Sequence, residues 1–159
     1  MPDFSTWNSE RLCSYHEKLI ERLIEYPDRS EEIEKRRLEI LVELENRASN
    51  LEFVRPAQGL LSFYGYRVGT TEGRTESFRR QTLAKIYFEK KLPLIGSLSY
   101  IEEWGDPKST QRLQKMKNCL VGFLNGNYPG YLNMETAFKQ WQSDLDWLSI
   151  DGWPNHSLE

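Results

Sequence analysis

Leu12, Tyr15, Leu19, Leu23 and Tyr26 recur at three- and four-residue steps, and Pro27 ends the run. Side chains at that spacing share one stripe of an α-helix, which predicts an amphipathic helix over about Ser9–Tyr26, widened by Ile20 and Ile24. Beyond the break, Asp28 and Glu31 have capping-box spacing. Ile33, Ile40, Leu44 and Leu51 then share a face of a second helix reaching to about Arg47, with Leu41 and Ala48 on its shoulder. Two long amphipathic helices joined by so short a turn fold back on each other as an antiparallel hairpin. Leu38 and Val42 lie well off the buried face. They mark a second contact, to the rest of the chain or to another copy, or else an ordinary pair of exposed apolar side chains.

Residues 52–73 change character. Aromatics alternate with glycines, which predicts a short helix within Ala57–Tyr64 and a loop through Gly73, with a small strand at Tyr66–Val68 as an option. Gly65, Gly69 and Gly73 read as a sharp reversal needing positive φ or close packing, because no Gly-Lys-Ser/Thr follows to make a phosphate loop. A third helix over Glu76–Lys90 carries Phe78, Leu83, Ile86, Tyr87 and Phe88 in several directions, as a helix buried on more than one side would. Ser97–Trp104 supplies another turn or two. Ser109 caps a fourth helix with Leu113, Met116, Leu120, Phe123 and Leu124 on one face, closed by Asn125-Gly126. A fifth starts at Asn133, with Met134, Phe138, Trp141, Leu145 and Leu148 in register and Trp147 opposite. The expected fold class is therefore all-α. It has an N-terminal antiparallel helical hairpin (1–52) and a three- to four-helix module (53–150), packed as one unit, with a tail at 151–159.

Length and composition agree with one domain. The chain has 159 residues, of which 38% are hydrophobic, 28% charged and 13% aromatic, enough for a real core with broad solvated faces. The longest apolar stretch, Cys119–Leu124, is far short of the ~20 residues a membrane span needs. The N-terminus shows neither a basic nor an apolar signal region, so Cys13 and Cys119 are expected as reduced thiols and the cytoplasm as the location.

Few residues offer chemistry. Cys13, His16, Cys119 and His156 are the only cysteines and histidines, and just the first two are closely spaced, so neither a zinc site nor any other cofactor is expected. Two histidines specify no catalytic triad. Glu102/Glu103 and Asp144/Asp146 point to different sides of their helices, and Asp144 and Asp146 read as solvating the polar face of the last one.

The charge distribution says more. Residues 1–54 carry a net −5, 55–120 a net +6 and 121–159 a net −4. In the basic middle, Arg67, Arg74, Arg79, Arg80, Lys108, Arg112 and Lys115 interleave with Tyr64, Tyr66 and Trp104. Converged on one surface, they would form a nucleic-acid site of phosphate contacts and stacking rings. The favoured alternative is internal, with Arg79 and Arg80 paired to acidic residues of the hairpin.

One further pattern spans about residues 62–148. Tyr66-Arg67-Val68-Gly69, Leu92-Pro93, Glu103-Trp104-Gly105-Asp106-Pro107, Ser109, Arg112-Leu113, Trp141 and Asp144-Leu145 together resemble short, uncharacterised bacterial helical proteins. The resemblance attaches no activity or ligand and implies a self-contained module after the hairpin. Taken together, the leading expectation is a non-catalytic macromolecular interaction protein, with Leu38 and Val42 on the hairpin as the surface for a protein partner or a second copy. Nucleic acid bound through the middle segment, 55–117, is the alternative, and an enzyme the least favoured.

Overall fold

The computed structural model describes residues 3–49, 59–95, 98–128 and 134–155. It is all-α: seven helices and no strand occur among those residues. They are α1 (Ser9–Glu25), α2 (Ser30–Ser49), α3 (Leu60–Phe63), α4 (Glu76–Phe88), α5 (Leu98–Glu102), α6 (Thr110–Leu124) and α7 (Glu135–Leu148). None of them is long and apolar enough to cross a membrane.

Asn8 starts α1 by accepting the Arg11 N–H, which satisfies a free backbone donor of the first turn. A single 3-10 turn, Pro27–Arg29, leads into α2. The two helices run side by side in opposite senses. Arg36 of α2 reaches the Tyr15 hydroxyl midway along the pair, while Arg47 at the far end of α2 donates to Ser9 Oγ and the Phe4 and Trp7 carbonyls. Leu12, Leu19, Ile20, Ile33, Ile40 and Leu44 fill the interior. The α1 stripe is rotated from the expected one: Ile20 and His16 are buried, whereas Tyr26 is 49% exposed. The cause is that α1 packs against α2 on one side and against α3 and α4 on another.

The loop after α3 has no strand; the Tyr66 N–H bonds back to the Leu61 carbonyl instead. Gly65 sits at φ +88°, and a Cβ there would come within 2.9 Å of Glu17. α4 is buried on several sides, through Thr82, Leu83, Ala84, Ile86 and Tyr87. α6 and α7 pair along their length. Trp147, on the face of α7 opposite the apolar stripe, is also buried, because the chain turns back after Ser149 and covers it. Trp153 lies in the core, its ring 5.3 Å from that of Trp147 and 4.8 Å from that of Tyr87.

Lys108 occupies the left-handed region at φ 60°. It is held there by Tyr87 at both ends: its N–H donates to the Tyr87 carbonyl and its carbonyl accepts the Tyr87 hydroxyl, each at 3.0 Å. Left-handed backbone strains a side-chain-bearing residue and not glycine, whose own folding cost is partly offsetting. Lys108→Gly is therefore expected to stabilise the chain by about 0.5 kcal/mol, seen as a raised urea midpoint; a lowered midpoint would contradict this account.

Candidate functional site

The basic middle is folded inward. Tyr64, Tyr66, Arg79, Trp104 and Arg112 are buried, Arg67, Arg74, Arg80 and Lys115 are half-buried, and Lys108 alone of the ten is exposed. These residues do not converge on one face. Apart from Lys108, they divide among three networks.

The first ties the glycine loop to the hairpin. Arg67 donates to Glu17 at 2.5 Å and to the Ser62 carbonyl at 2.9 Å, while Arg74 pairs with Glu17 at 3.1 Å and also with Glu21. The hairpin does neutralise the basic segment, but through Arg67 and Arg74 here and through Lys85 and Lys91 elsewhere. Arg79 and Arg80 turn the other way, to α7: Arg79 Nε lies 2.7 Å and Arg80 Nε 3.4 Å from the Asp144 carboxylate. Arg80 also pairs with Glu76 at 2.8 Å. Asp144 is not a solvated surface acid but fully buried, and it takes a third bond from the Tyr66 hydroxyl at 2.6 Å. Burial, followed by the adjacent Asp144 charge, pushes the Tyr66 phenol up, so it stays a donor.

The second network surrounds Arg37, a cation on the apolar stripe Ile33–Arg37–Ile40–Leu44. It binds Glu89 of α4's C-cap at 2.7 Å and Glu34 at 2.8 Å, and its Nε faces His16 Nε2 at 3.3 Å. The Tyr64 hydroxyl donates to the same Glu89 carboxylate at 2.8 Å. Burial and then the Arg37 charge hold the His16 imidazole well below its ordinary range, so it is neutral. Its tautomer follows from its neighbours. Nε2 accepts from Arg37, so the proton sits on Nδ1, facing the Phe63 carbonyl at 3.4 Å.

The third is a carbonyl clamp. Arg112 donates to the backbone oxygens of Ile86, Glu89, Trp104 and Gly105, closing the junction between α4 and α6. Ser109 caps α6 as expected. Lys115 pairs with Glu103 at 2.7 Å and lies over the Tyr100 and Trp104 rings. Sequence periodicity missed Arg37, Glu89, Glu17 and the burial of Asp144. Two of these left a signal, since Arg37 and Asp144 each sit on the apolar stripe of their own helix.

No family model matches the chain, and no match was found among the curated proteins or the solved structures compared with it. Function has to be argued from the surface and the grooves.

Among the described residues no cluster of His, Cys, Asp and Glu could hold a metal; His156 lies outside them. A groove of about 360 Å³ beside α6 is lined by Leu60, Tyr100, Lys115 and Cys119, but burial pushes the Cys119 thiol up and away from the reactive thiolate. A second, of about 500 Å³, runs along α7 past Arg80, Ser143 and Trp147, where the Arg80 guanidinium is already committed to Glu76 and Asp144.

The outer face of α2 is different. Leu38 is 57% and Val42 56% exposed, one helical turn apart on a regular helix whose inner face is buried. With Glu31, Lys35 and Glu45 they form one continuous stripe at steps of four, three, four and three residues. An open groove of about 740 Å³ flanks the stripe near the turn, lined by Asp28, Arg29, Glu31, Glu32, Glu34, Lys35 and Leu38.

Proposed function

We propose that this chain is a non-catalytic interaction protein, and that the outer face of its hairpin docks on another protein surface, either a distinct partner or a second copy. The observation that carries the reading is the Leu38–Val42 pair. Two adjacent apolar side chains, both more than half exposed and rimmed by charge, have the composition of a small interface core with a polar border. The buried networks support the same reading from the other side: His16 and Arg37 are engaged in tying the hairpin to the module, and Asp144 and Arg112 in holding the module together. The nucleic-acid alternative retains Lys108 as its exposed cation from the original ten, and the rings meant for stacking are interior.

The test is a photo-crosslinking amino acid at position 38 of the full chain, irradiated in the cells that express it, with position 14 on the exposed side of α1 as the control. An adduct from 38 and none from 14 supports docking on α2. No adduct from position 38 overturns it.

A further inference from the structure

The stripe on α2 has an internal symmetry. α2 runs from Ser30 to Ser49, so its midpoint falls between Glu39 and Ile40. Leu38 and Val42 lie two residues either side of position 40, and Lys35 and Glu45 lie five either side. A two-fold axis beside residue 40 therefore superposes apolar on apolar and cation on anion. It also overlaps the two helices along nearly all of their ~30 Å length.

We propose that α2 pairs with the α2 of a second copy of this chain as an antiparallel two-helix seam. In it, Leu38 packs against Val42 of the second copy and Lys35 meets its Glu45, with each contact made twice by symmetry. This rests on the reading of the α2 face as a docking surface and names its occupant. Charge selects the antiparallel sense, because a parallel pair would set Lys35 against Lys35 and Glu45 against Glu45. Opposed helix dipoles favour the same arrangement. Lys35 and Glu45, ten residues apart, are not partners within one chain. Glu45 holds Lys91 at 2.6 Å with its side chain still 42% exposed, so it sits at the rim of the seam and remains reachable. A single helix face lies toward the small end of stable interfaces, so the dimer forms and dissociates with concentration.

The experiment is light scattering on the purified full chain over a concentration series, with Lys35→Glu, Glu45→Lys and the double exchange. The wild type is expected to rise from monomer to dimer mass. Each single exchange turns two attractive pairs into two repulsive ones and weakens dimerisation by about tenfold, whereas the double exchange restores it. A chain that stays monomeric through the sub-millimolar range, or a dimer indifferent to all three variants, overturns the proposal. A monomeric pure chain that still crosslinks from position 38 to a protein of different mass leaves the docking surface standing and removes only the second copy. A dimer weakened by both single exchanges but not restored by the double exchange overturns the antiparallel register alone.

Discussion

Asp144→Asn is expected to lower the folding stability of this chain by about 3–5 kcal/mol, the usual cost of stranding one partner of a buried ion pair. Asp144 is fully buried and receives three groups: Arg79 at 2.7 Å, the Tyr66 hydroxyl at 2.6 Å and Arg80 at 3.4 Å. An amide keeps the shape and one acceptor oxygen but removes the charge that holds the buried Arg79 guanidinium. Two controls separate charge from shape. Tyr66→Phe removes one hydrogen bond and leaves the ion pair, so its loss is expected near 1 kcal/mol. The double change Asp144→Leu with Arg79→Met removes both charges and is expected to recover part of the deficit of Asp144→Asn. Urea unfolding of the four proteins reads all of this. A loss below about 1 kcal/mol for Asp144→Asn would mean that water reaches the pair and that the interior network is weaker than its geometry implies.

The second large effect is a pH dependence centred on His16. The imidazole is neutral in the fold, first because it is buried away from water, then because Arg37 of α2 faces Nε2 and Lys85 of α4 adds to the same positive field. Glu34 and Glu89, the nearby acids, are engaged by Arg37 and Lys85. The unfolded imidazole takes up a proton near pH 6.5, and the folded one resists doing so until well below that value. Between those two pKa values the unfolded state binds more protons, so stability falls as pH is lowered. The slope approaches about 1.4 kcal/mol per pH unit from this one residue. His16→Gln keeps an acceptor for Arg37 and cannot titrate. It is expected to be less stable at pH 7 but to lose this part of the slope between pH 6.5 and 5. An unchanged slope in His16→Gln would assign the acid sensitivity to other groups.

Much of the architecture was legible as periodicity. The two hairpin helices, the cap at Ser109 and the multi-sided burial of α4 follow from apolar spacing and capping residues, which act within a few residues of one another. The departures share one physical origin. Asp144 lies on the stripe of Trp141 and Leu148, yet its residue type argued for solvent. What overrides residue type is the arrival of Tyr66 and Arg79, 78 and 65 positions away in the chain. Arg37 is the same case, with Glu89 arriving from 52 positions away. Trp147 lies off its helix's stripe, and its burial is not visible there because the residues that cover it belong to a different turn. For the candidate site the balance is reversed. Leu38 and Val42 stood out in the sequence because they broke their own helix's pattern, and they are exposed in the fold. The tyrosines and arginines of the basic middle looked like a ligand site because a linear sequence does not record which opposite charges meet inside.

Trp153 has one more consequence. Its ring meets that of Trp147 almost edge-on, at 83°, and stands at 72° to Tyr87. Chromophores this close, at fixed angles and drawn from three separate stretches of chain, give the junction of α4, α7 and the final turn an optical signature of its own. Near-ultraviolet circular dichroism thus reports the docking of the turn that carries Trp153 independently of helix content, so that its release can be followed while the hairpin stays folded.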